Sequence, residues 1–276
     1  MGKSKKKIIN KPPYKSKTTL TVYLVLRAMI VIALIRGVLL GNYESVFLCV
    51  LSLVLMLLPS IVQKRLCITL PSTLEIIILL FIFAAEILGE LASFFVRVPN
   101  WDTMLHTVNG FLCAAVGFAL VDMINRNERF SMKLSPIYLA LVAFCFSMTV
   151  GVLWEFFELA ADNIMGLDMQ KDTVIKTINS VALDPTLSNK VIHVRDISDV
   201  IIVHSDGTQE ALGLGGYLDI GLYDTMKDLL VNFVGAVVFS IIGYFYVKHE
   251  GKGKFASNFI PQVPMNEETK KQEEKN

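Results

Sequence analysis

Eleven polar side chains inside otherwise apolar stretches are the ones that could do chemistry: Glu86 and Glu90; Asp102, His106 and Asn109; Glu155, Glu158 and Asp162; Asp224, Asp228 and Asn232. Within each set the spacing is three or four residues, or sums of these, so on a helix each set shares one face. Four helices could aim such faces at one place. A histidine among carboxylates suits one hard or borderline divalent ion, Mg²⁺, Mn²⁺ or Zn²⁺. The expected ligands are His106, Glu155, Asp224 and Asp228. Asp102, one turn before His106, is placed to accept the second imidazole N–H and fix the tautomer. Glu158 then serves as general base on bound water, and Asn109 and Asn232 orient substrate. Glu86, Glu90, Asp102 and Asp162 form a supporting polar cluster.

The energetics say that these residues need partners. A carboxylate at mid-bilayer costs about 2.5–3.5 kcal/mol on insertion scales, and less toward the interface. Asp102 and Asp224 stand at helix starts, where a carboxylate can cap free N–H groups. Glu86, Glu90, Glu155 and Glu158 lie toward helix C-termini, where the macrodipole repels them. The cations within reach are Arg36, Arg97, Lys227 and a protonated His106. Two alternatives to the enzyme stay open. One is a proton- or cation-coupled transporter, with Glu86 and Glu90 continuing the cluster inward; the other is a structural hydrogen-bond network in a scaffold or accessory protein. A transporter needs a polar route through, yet the inner stretches 114–121 and 136–147 hold few ionisable groups. No HExxH, G-x-S-x-G or Walker A pattern is present.

The elements that position these residues follow from hydropathy. Of 276 residues 53% are hydrophobic and 18% charged, against roughly 45–50% and about 25% in soluble domains. Apolar runs fall at about 20–40, 44–62, 73–96, 103–124, 136–160 and 224–247, each near the 20 or so residues needed to cross a bilayer. The chain therefore reads as an all-α polytopic membrane protein of about six transmembrane helices. Pro71, Ser72 and Glu75 mark a start of capping-box type, and Ser135-Pro136 marks another. Met1-Gly2 lacks the hydroxyl residue of a myristoylation site, and the first apolar run is too long, with Arg27 and Arg36 in it, for a cleaved signal peptide. Cys49, Cys67, Cys113 and Cys145 have no metal or disulfide spacing and read as small apolar residues.

Lysine and arginine counts orient the spans. Segments 1–19, 63–72, 125–135 and 248–276 carry 7, 2, 3 and 6, whereas 41–43 and 97–101 carry 0 and 1. Positively charged connections stay in the cytoplasm, so both ends are expected there, with Trp101 and Trp154 at the outer interface of the cytoplasmic membrane. The resulting organisation is a basic arm at 1–19, five helices over 20–162, an extracytoplasmic insert at 163–222, a sixth helix at 223–247 and a disordered tail at 248–276. Within the insert, 191–194 and 200–203 are β-rich and Ser205-Asp206-Gly207 is a turn, which predicts a small hairpin. The expected partners are the lipid bilayer and a lipid or lipid-linked substrate, with no nucleic acid.

Three motifs, residues 101–110 (WDTMLHTVNG), 151–158 (GVLWEFFE) and 223–235 (YDTMKDLLVNFVG), resemble the YjdF-like family of bacterial inner-membrane proteins over roughly 75–247. More distantly, Asp-x-x-x-His, then Glu, then Asp228-x-x-x-Asn232-x-x-Gly235 is similar to VanZ-like envelope proteins. The resemblance implies a helical membrane fold and bacterial origin, but no activity to transfer. The long insert between residues 166–170 and 221–224 departs from the common pattern.

Overall fold

The protein is described by a computed structural model covering residues 16–66, 68–125, 134–249 and 256–260. The basic arm up to residue 15, Cys67, the basic connection at 126–133 and most of the tail lie outside the described residues. Five helical stretches are long and apolar enough to cross a membrane: 17–39, 43–65, 101–122, 136–165 and 222–248.

Helix α1 (Lys17–Leu39) carries Arg27 within its apolar length. Its guanidinium donates to the hydroxyl of Tyr23, one turn earlier, at 2.5 Å and lies over that ring at 5.1 Å, so the charge finds its partner on its own helix. The second predicted span is divided into α2 (Tyr43–Leu55) and α3 (Leu58–Leu66). Pro59 is the cause: without an N–H, and with a ring that collides with the preceding turn, proline is tolerated only in the first turn of a new helix. Asn42 caps α2 by accepting from the Ser45 N–H at 3.0 Å.

The third predicted span is the least regular. Helix α4 (Ser72–Phe83) passes into eight residues of π-helix, Ala84–Leu91, which hold both Glu86 and Glu90. The chain then turns at Ser93, with φ of 59°, into the short α5 (Phe94–Arg97). α4 starts at Ser72 as expected, but the capping box is not made: Pro71 stands at the cap position, and Glu75 is buried at 4% exposure. Helices α6 (Trp101–Asn125), α7 (Pro136–Met165) and α8 (Leu222–Lys248) complete the spans. The Ser135 hydroxyl accepts from the Tyr138 N–H at the start of α7, at 3.3 Å.

Two compact units divide the chain, with boundaries inside α7 and α8: residues 1–149 with 231–276, and residues 150–230. The first contains two apolar clusters. Leu74, Leu112, Phe118, Leu139 and Phe239 centre one; Ile30, Cys49, Met56 and Leu79 centre the other. Residues 256–258 form a 3₁₀ turn, and Ile260 is buried in the first cluster, so this part of the tail is ordered by an apolar anchor that its polar surroundings concealed.

The second unit holds the insert, which is three antiparallel ribbons. β1 (Val174–Ile175) pairs with β6 (Tyr217–Leu218), β2 (Ile178–Ser180) with β3 (Ile192–Val194), and β4 (Ile201–Val203) with β5 (Gln209–Ala211). The two β-rich runs seen in the sequence therefore do not pair with each other. Each finds a partner strand too polar to stand out, Ile178–Ser180 and Gln209–Ala211.

Candidate functional site

The faces of the helices are inverted relative to a water-soluble protein. On α7, Glu155 and Glu158 are 4% and 7% exposed, while Leu153, Phe156 and Phe157 are exposed. On α8, Asp228 and Asn232 are buried, while Met226, Leu230 and Val234 are exposed. Apolar groups outside and ionisable groups inside is the arrangement hydrocarbon solvent selects. The helical spacing of the sequence motifs thus corresponds to a real inward face.

In the first unit, α6, α7 and α8 cross closely. A Cβ at Gly110 would collide with the Asn232 carbonyl, and one at Gly235 with the Thr107 carbonyl, so only glycine lets these backbones meet. The Asn109 amide donates to Asn232 Oδ1 at 3.3 Å, and Asn232 Nδ2 points to the Ser147 carbonyl at 3.5 Å. The Ser147 hydroxyl donates to the Gly110 carbonyl at 2.7 Å. Asn232 is 1% exposed, so its amide acts inside the crossing. One turn before Gly110, His106 Nε2 lies 3.3 Å from Asp102 Oδ1.

In the second unit the carboxylates are spread over different tasks. Glu158 accepts from Trp154 Nε1 at 2.8 Å. Asp162 accepts from the Met169 and Gln170 N–H groups at 2.6 and 2.9 Å, bending the chain back after α7. Gln170 donates to Thr225 Oγ1 at 2.7 Å and to the Glu155 carbonyl at 3.4 Å. Asp224 accepts from the Lys171 N–H at 2.9 Å and from Lys227 Nζ at 3.0 Å; Lys227 also lies 3.7 Å from Asp228. The cap of α8 is Asp219, which accepts from the Tyr223 N–H at 2.8 Å. Asp224 thus ties the insert to α8, a role its position near the helix start did not announce. Outside the spans, burial together with Asp168, Asp219 and Asp162 pushes the Asp172 carboxyl up, and Lys171 partly opposes them.

Among the described residues, the donors suited to a divalent ion are Asp102 and His106 in the first unit and Asp228 in the second. Glu86, half-buried, and Glu90, exposed, lie on the π-helical stretch. Sequence reasoning passed over Gln170 and Asp122, and took Glu75, which is buried, for part of a capping box. Asp122, buried at 6% exposure near the far end of α6, was detectable by the rule that picked out His106, an ionisable group within an apolar run. Gln170 gives no such signal, since its partners are fixed only when the chain returns.

Such a fold and such a buried polar face define a polytopic helical membrane protein. The chain belongs to the family described as predicted membrane protein (DUF2238), which it matches over residues 20–249. That match starts within α1 and ends one residue past α8; its description carries neither the YjdF-like nor the VanZ-like name. No curated protein and no solved structure matches the chain.

Proposed function

We propose that this is a divalent-metal-dependent enzyme of the cytoplasmic membrane, with both termini in the cytoplasm, acting on a lipid or lipid-linked envelope molecule that enters from the outer leaflet. The observation carrying the reading is the Asp102–His106 contact. A carboxylate on one ring nitrogen fixes the tautomer and leaves the lone pair of the other for a cation, as around metal-bound histidines generally. His106 and Asp228 are the principal ligands, with Glu155 completing the set. Support comes from helix periodicity: His106 stands one turn before Gly110 and Asp228 one turn before Asn232, and Gly110 and Asn232 are in contact. Asp224 and Asp162, already engaged by backbone N–H groups, hold the insert in place.

The ion would supply Lewis acidity and a more acidic bound water. Glu158, fixed by the Trp154 N–H, would be the general base beside such an ion, and the apolar flanks of α7 and α8 would admit a lipid chain sideways. Asn109 and Asn232 act by holding α6 against α8. The test is metal content and heat stability of purified protein. An ion at about 100 times its Kd stabilises the wild type by roughly 2.7 kcal/mol; His106→Ala and Asp228→Asn should gain almost nothing. Equal melting of all three across Mg²⁺, Mn²⁺, Zn²⁺ and chelator, with no metal by elemental analysis, rejects the reading.

One observation favours cation- or proton-coupled transport instead. The π-helical stretch bearing Glu86 and Glu90 is of a kind frequent at functional sites, and buried Glu75 and Asp122 put carboxylates within α4 and at the far end of α6. Proteoliposomes separate the two: ion-driven flux that Glu86→Gln abolishes and His106→Ala leaves intact would select transport.

A further inference from the structure

Between the halves of α7 and α8 that belong to the first unit runs an open groove of about 540 Å³. Its walls are Ile137, Leu141, Phe144, Phe233, Ile241 and Phe245, and its exposed lining is entirely apolar. Small Ala140 and Ser240 leave the space. At one end Phe144 and Phe233 meet edge to face, centroids 5.3 Å apart. From Phe233 to Phe245 the groove follows α8 for roughly 18 Å at 1.5 Å per residue, about the depth of one leaflet, half of roughly 30 Å of hydrocarbon.

The other end carries positive charge. Lys248 Nζ lies 5.6 Å from the centroid of the Tyr244 ring, which lines the groove. His249 stacks on Phe245, also a lining residue, at 6.2 Å. Both are exposed. An open apolar groove of leaflet depth, with two basic side chains at one end, complements a molecule with a hydrocarbon tail and an anionic head.

We infer that this groove binds one anionic phospholipid, its acyl chain between α7 and α8 and its phosphate beside Lys248 and His249. Bare hydrocarbon solvation would need no basic mouth, and the site is independent of the metal reading. Lys248 also neutralises the C-terminal end of the α8 macrodipole, a role that requires neither Tyr244 nor the groove.

The experiment is thermal unfolding of the delipidated full chain in neutral detergent, titrated with phosphatidylglycerol or phosphatidylcholine, with lipid retention read by native mass spectrometry. Phosphatidylglycerol should raise the wild-type Tm by several degrees more than phosphatidylcholine and be retained as one molecule per chain. The double variant Lys248→Gln, His249→Gln, altered only at exposed positions, should lose that difference. Ala140→Phe, which fills the groove, should lose retention of both lipids. Equal shifts for the two lipids in the wild type, or an undiminished preference in the double variant, overturns the inference. So does efficient disulfide cross-linking between copies through Ile241→Cys in a bilayer, which would put a second chain in the groove. Should Ala140→Phe fail to fold, the double variant alone decides.

Discussion

Gly110, Gly235 and Asn232 show how much of this protein depends on atoms that are absent. Two missing β-carbons let α6 and α8 touch backbone to backbone, and the polar groups that come together there are satisfied by one another. Gly235→Ala should push the helices apart and cost about 1–3 kcal/mol, the usual penalty of overpacking. Denaturant or heat unfolding in detergent checks it; an unchanged midpoint would mean that the crossing is loose. The inward face of these helices was legible in the sequence because helical spacing and the cost of burying charge in hydrocarbon are local rules. Which partner each side chain takes was not. Asp224 looks like a cap until Lys171 is seen to arrive from the insert, and Glu75 looks like part of a capping box until Pro71 occupies the cap.

The helices and the insert obey different constraints as elements. Apolar length alone located the spans, but Pro59 and the π-helical stretch escaped it, since window hydropathy averages over a break. The insert is organised by short hydrogen bonds instead of a core. Asp184 accepts from the Thr186 hydroxyl and N–H at 2.6 and 3.0 Å and from Ser188 and Lys190, and these bonds hold its carboxyl well below the usual range. A depressed carboxyl stabilises the fold above the unfolded pKa of about 3.9 and ceases to as pH falls toward the folded value. The amides of Thr186, Ser188 and Lys190 should therefore stay protected from exchange at pH 5 and open at strongly acid pH; Asp184→Asn should expose them already at pH 5. Removal of 172–218 with a Gly/Ser joint leaves Gln170, Lys171 and Asp219 in place, so the shortened chain should still insert and remain monodisperse in mild detergent. Aggregation would show that the ribbons support the helices.

At the scale of the whole molecule, the sequence yields the class, and the lysine and arginine counts set an expected orientation. In a protein without native cysteines, single cysteines at 64, 129 and 252 should resist an impermeant thiol reagent on intact cells, and one at 190 should react. Labelling at 129 without permeabilisation would overturn the six-span arrangement, which rests on lysine and arginine asymmetry. Hydropathy could not reveal the apolar groove beside Lys248, because lipid-facing walls and lipid-binding walls have the same composition.

The β1–β6 pairing has a practical consequence. Val174 and Leu218 are partners in an antiparallel ladder, so the chain leaves and re-enters the helical region through two strands roughly 5 Å apart. A stalk of that width can carry any rigid domain whose own termini lie side by side, a condition many folds meet. Splicing such a domain at this position in place of β2 to β5 would give a small membrane protein a large soluble landmark for electron cryomicroscopy, joined through two short strands with no flexible linker.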